Sequence, residues 1–67
     1  MNIELSGDSD YYQYLVDGKR RFVVHQSLSN RWHASLVRKA EVVYLGSFDY
    51  FTDADAFIRN LAPHVKA

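Results

Sequence analysis

The chain contains no cysteine, so disulfide staples, thiolate zinc sites and a cysteine nucleophile are excluded. Its three glycines, Gly7, Gly18 and Gly46, are too scattered to build a phosphate-cradling loop. No apolar run approaches the roughly 20 residues that cross a bilayer, and Met1-Asn2-Ile3-Glu4 lacks a basic leader. A soluble, cytoplasmic protein with no membrane partner is therefore expected. Net charge is also missing, since eight basic residues balance eight acidic ones. With 48% hydrophobic and 24% charged residues the composition is nevertheless globular and not disordered. Its 67 residues make a single small domain, whose core must be efficient. Ten aromatics (five Tyr, four Phe, one Trp) supply that core with area.

The zero charge conceals a division along the chain. Residues 1–18 carry Glu4, Asp8, Asp10 and Asp17 and no base, a net of −4. Residues 19–41 carry Lys19, Arg20, Arg21, Arg31, Arg38 and Lys39 against Glu41, a net of +5. The rest, with Asp49, Asp53 and Asp55 against Arg59 and Lys66, nets −1. Charge separated in this way speaks to partners and not to fold.

Residues 1–10 are polar and acidic and read as a flexible arm with a short strand at Ile3–Leu5, leaving residues 11–67 as the folded unit. Tyr11–Val16 is rich in residues that fit a pleated surface. Asp17-Gly18 is a strong hairpin signal leading into a second strand, Arg21–Gln26. Arg31–Val37 alternates cleanly, and Arg38-Lys39-Ala40-Glu41 turns the chain into Val42–Phe48. Short links between these strands imply an antiparallel meander of three to four strands, an α+β fold once the last segment is added. That segment has Thr52 as an expected N-cap, with Thr52-x-x-Asp55 approximating a capping box. Ala54, Phe57, Ile58 and Leu61 form one apolar stripe, and Pro63 stops the helix near Ala62, leaving His64–Ala67 as a short tail. A lone helix of this length is marginal in water, so it must pack on one face of the sheet.

The packed face takes Trp32, Ala34 and Leu36, with Val43 and Leu45 beside them. A three-residue loop, Asp17-Gly18-Lys19, brings Tyr12, Tyr14, Phe22 and Val24 to the same side. A strict two-residue loop sets Tyr14 opposite Arg21 and mixes the faces. The opposite face then shows Arg21, Val23, His25, Arg31, His33, Ser35, Val37, Val42 and Tyr44, and one helix cannot cover it as well. Basic groups interleaved with an aromatic on an open sheet suit a surface that tracks phosphates and faces a groove.

Arg31-Trp32-His33-Ala34-Ser35-Leu36, then Val43-Tyr44-Leu45-Gly46-Ser47-Phe48, then Asp53-Ala54-Asp55-Ala56 resembles the AP2/ERF domain pattern over residues 21–62. The resemblance implies a three-stranded sheet with one packed helix, related in fold to the N-terminal arm-binding domains of integrases, that lays its sheet in the DNA major groove. It implies core roles for Trp32, Ala34, Leu36, Val43, Leu45 and Phe48, and outward DNA contacts at Arg31 and Tyr44. The chain departs from the family in its first strand, where Phe22, Val23, Val24 and His25 stand in place of several arginines, and at Val37 and Val42, which replace basic residues.

Two functions follow. The first is a small non-enzymatic module binding double-stranded DNA through Arg21, His25, Arg31, His33, Arg38, Lys39 and Tyr44, of a size that suits a phage or mobile-element accessory protein. The second is a protein-interaction module, a small inhibitor or adaptor, using the same face or the edge strand 11–16 with its exposed Tyr11. No catalytic triad or acid/base pair can be read from the spacing, and His25 with His33 lacks a third metal ligand. No enzyme activity, cofactor, metal or small-molecule substrate is expected.

Overall fold

The computed structural model describes residues 1–65, so Lys66 and Ala67 of the expected tail lie outside the described residues. Five strands run in chain order as β1 (Ile3–Asp8), β2 (Tyr11–Val16), β3 (Lys19–Gln26), β4 (Trp32–Arg38) and β5 (Glu41–Phe48). One helix, α1 (Phe51–Leu61), follows, and a single 3₁₀ turn over Ala62–His64 takes up Pro63. The strands form one antiparallel meander in the order β1-β2-β3-β4-β5. The expected α+β meander with a C-terminal helix is present, but with five strands where three to four were expected.

The additional strand is the segment read as a flexible arm. Ile3 pairs with Val16 and Asp8 with Tyr11, so every residue of β1 lies against β2. The hairpin turn anchors its start: Asn2 N–H donates to Asp17 Oδ1 (2.9 Å) and Asp17 N–H donates back to the Asn2 carbonyl (2.8 Å). With β1 in place, β2 is an interior strand; the edges of the sheet are β1 and β5. Tyr11–Val16 is therefore not an edge on which a partner strand could add.

Where β1 turns back, Gly7 sits at φ +146°, and a Cβ there would press on the Tyr11 carbonyl and lie 2.7 Å from the Tyr12 Cα. Gly7→Ala is expected to cost about 2 kcal/mol, which in a domain of this size lowers the melting temperature by roughly 10 °C. A thermal melt checks it.

The hairpin satisfies the face requirement by a different route from the one expected. The loop is the two-residue Asp17-Gly18, both at positive φ (53° and 84°), as a turn matched to strand twist demands. Val16 pairs with Lys19 and Leu15 with Arg20, and the register then shifts so that Tyr14 meets Phe22. Arg21 is the extra residue, a β-bulge that returns both aromatics to the same face. A second shift in register, at Leu45, separates the pairs Ala34–Gly46 and Ser35–Tyr44.

The core lies between the sheet and α1 and is made of Tyr14, Phe22, Val24, Ala34, Leu36, Ala54, Ile58 and Ala62. Ala54, Ile58 and Ala62 recur every four residues, and the small Ala54 lets the helix lie close. Phe57, expected in this stripe, is 37% exposed and rests against Phe48 with ring centroids 5.3 Å apart. Val43 is likewise exposed where a core position was expected. The helix starts one residue before Thr52, with extended Tyr50 as its N-cap and no side-chain cap. The cause is aromatic packing: Phe51 wedges beside Tyr12 (4.9 Å) and Trp32 (5.2 Å), which draws the first turn toward the sheet.

Asp55 leaves the capping role for a core contact. The Tyr14 hydroxyl donates to Asp55 Oδ1 at 2.6 Å, and Arg59 Nε donates to both Asp55 oxygens at 3.0 Å. Burial, and then the hydrogen bond and negative charge of Asp55, push the Tyr14 phenol far above its usual value of about 10, with Arg59 opposing weakly. Above pH 10 the unfolded chain releases this proton while the native state keeps it, so stability falls as pH rises from about 10 toward the native value. Tyr14→Phe should flatten that part of a pH-dependent melting series, in which the wild type declines.

Candidate functional site

The face of the sheet away from α1 has no layer over it. Its side chains form rows across the strands, fixed by register. One row is Asp8, Tyr11, His25, His33 and Ser47, and the next is Ser6, Gln13, Val23, Ser35 and Tyr44. Val23 (9% exposed) and Ser35 (7%) are buried even so, sheltered by the larger side chains around them.

His25 and His33 lie directly opposite each other with rings stacked at 5.2 Å. His33 Nδ1 lies 2.9 Å from the Tyr44 hydroxyl, the proton shared according to the imidazole tautomer. His25, His33 and Tyr44 are thus brought together as expected for residues of one face. Among the described residues no group of three or more His, Cys, Asp or Glu could hold a metal ion.

Arg31 is held elsewhere. Its guanidinium forms an ion pair with Asp49 and donates from Nε (3.2 Å) and Nη2 (2.9 Å) to Ser47 Oγ. All three residues lie at the end of the sheet that holds the Asp8–Asp10 turn, away from Arg38 and Lys39. Three of its five N–H donors are engaged there, and it sits apart from the other expected basic contacts.

The opposite end gathers five other cations. In a meander every second turn falls at the same end of the sheet, so the β2–β3 and β4–β5 turns come together. They carry Lys19, Arg20 and Arg21 on one side and Arg38 and Lys39 on the other, and all five line one open cleft with Val37, Ala40 and Glu41. Among the described residues the ion pairs are Arg31–Asp49 and Arg59–Asp55, so none of the five is neutralised by one. Arg21, the bulge residue, is half-buried; the other four are exposed. Lys19 and Arg20 were not among the expected contacts, although the parity of turns in a meander places them with Arg38 and Lys39.

The molecule is therefore polarised along its strands. Asp8, Asp10 and Asp49 mark one end, the five cations mark the other, and His25, His33 and Tyr44 lie on the face between. Such an arrangement sets clustered positive charge at one end of the sheet with flat rings beside it, chemistry that suits an anionic partner. Among the described residues no helix is long and apolar enough to cross a membrane. No protein-family model, curated protein or solved structure matches the chain.

Proposed function

We propose that the protein is a small double-stranded DNA-binding module whose contact surface is the basic end of the sheet and the open face beside it. The observation that carries this reading is the convergence of Lys19, Arg20, Arg21, Arg38 and Lys39 on one cleft with no ion-paired acid among them. Five cations so placed follow a phosphate backbone, and each phosphate they neutralise releases counterions. Tyr44 and His33 then approach sugars or base edges from the adjoining face. The resemblance to the AP2/ERF pattern supports a sheet as the contact element. Arg31 contributes by holding Ser47 and Asp49 and not by touching phosphate.

The test is an amide-shift titration of labelled protein with random-sequence duplex DNA at low and moderate salt. Shifts are expected at residues 19–21 and 37–44, fading as salt is raised. Shifts confined to Arg31 and Asp49, or none at low salt where the electrostatic attraction is largest, overturn the reading.

A further inference from the structure

β5 closes one side of the sheet, and its outer backbone edge faces solvent. Edge strands in soluble proteins are usually guarded by charge, proline or distortion. At the other edge β1 carries Glu4 and Asp8. β5 has one charged residue, Glu41 at its start, and then exposes Val42 (63%), Val43 (37%) and Tyr44 (59%) in succession. Its own distortion, the bulge at Leu45, comes only after this segment.

We propose that this edge pairs with the same edge of a second copy, antiparallel about a two-fold axis at Val43. In that register Val42 of each copy opposes Tyr44 of the other, and the two Val43 residues oppose each other. A one-residue slip would set outer-face side chains against inner-face ones. A centre at Tyr44 would run the bulge into the ladder, and one at Val42 would leave Tyr44 facing the turn at Ala40.

Charge selects the same partner. Beyond the paired segment Lys39 of one copy comes opposite the neutral Ser47 of the other, so the two basic turns lie at opposite ends of the joined sheet and do not repel each other. Two β1 edges would instead bring Glu4 and Asp8 against their own copies. Pairing β1 with β5 would leave a free edge at each end and grow without closing, whereas β5 with β5 closes as a dimer. The result is a ten-stranded sheet whose open faces are continuous, with one basic end on either side of the axis.

The experiment needs no nucleic acid, so its failure leaves the DNA reading untouched. Sedimentation of the wild type should show the average mass rising toward twofold with concentration. A Val42→Lys, Tyr44→Lys double variant should stay monomeric throughout. Because the chain has no cysteine, single substitutions report geometry cleanly. Val43→Cys should form an intermolecular disulfide at least tenfold faster than Leu28→Cys, placed on the fully exposed β3–β4 loop. A wild type that remains monomeric at the highest soluble concentration overturns the proposal and leaves the edge to a different protein's strand. So does a dimer in which the Val43→Cys variant crosslinks no faster than the Leu28→Cys variant, since it would use another surface.

Discussion

Phe22→Ala is expected to abolish the cooperative fold. Phe22 is 1% exposed and lies in the central strand, opposite Tyr14 on β2 and Leu36 on β4. It belongs to the same buried cluster as Ile58 of the helix, so its ring joins three strands and α1 in one contact set. Truncating a buried Phe to Ala typically costs about 3–5 kcal/mol, because transfer energy is lost and a cavity remains. A domain of this size has roughly 3–10 kcal/mol of stability in all, so the loss consumes much or all of it. The expected result is collapse of amide-shift dispersion and disappearance of a sharp thermal transition. Phe57→Ala provides the contrast: its ring is partly in water and touches mainly Phe48, so the cost should be nearer 1 kcal/mol with the transition retained. Equal melting temperatures for the two variants would mean that the core is not where the sheet and helix meet.

The same residue shows what the sequence carries and what it hides. Tyr14 and Phe22 were placed on one face correctly, but only by giving the hairpin a three-residue loop, Asp17-Gly18-Lys19, that the structure does not have. Reaching that pairing through a two-residue loop required a bulge at Arg21, which leaves no mark in composition because the extra residue is an ordinary polar one. β1 was hidden for a related reason. An edge strand needs one neighbour and little packing, so Ile3 against the core suffices, while Glu4, Ser6 and Asp8 make it read as an arm. What holds it is the backbone ladder to β2 and the Asn2–Asp17 exchange, neither visible in side-chain pattern. The missing strand also misplaced the edge, which passes from Tyr11–Val16 to β1.

The site was legible in the same uneven way. His25, His33 and Tyr44 share a face because strand periodicity fixes which side each occupies, and period is a local property. Arg31 depended on Asp49, 18 residues away, and a long-range ion pair cannot be read from spacing. Lys19 and Arg20 depended on topology: only once the sheet is a continuous meander do both basic turns fall at one end. The N-cap failed at Thr52 because burial of Phe51 between Tyr12 and Trp32 outweighs a cap worth about 1 kcal/mol.

Replacing Lys19, Arg20, Arg38 and Lys39 together by Gln is expected to remove nearly all DNA affinity while leaving the fold intact. If all five cations of the cleft meet phosphates, the logarithm of affinity should fall against the logarithm of salt with a slope of about −4.5. The variant keeps only Arg21, so the slope should flatten to about −1, and affinity at low salt should drop by about 10²-fold or more. Stability separates this loss from unfolding. The four side chains are exposed and outside any ion pair among the described residues, so no packing or partner is lost. Removing mutual repulsion between two adjacent turns should leave the melting temperature unchanged or slightly raised. Arg31→Gln is the counterpart. It breaks the contacts with Asp49 and Ser47, and should lower stability by at most about 1 kcal/mol while the salt slope stays near its wild-type value. A fourfold variant that binds DNA with the wild-type slope would move the contact surface away from the basic end, and a flattened slope in Arg31→Gln would move it to the opposite one.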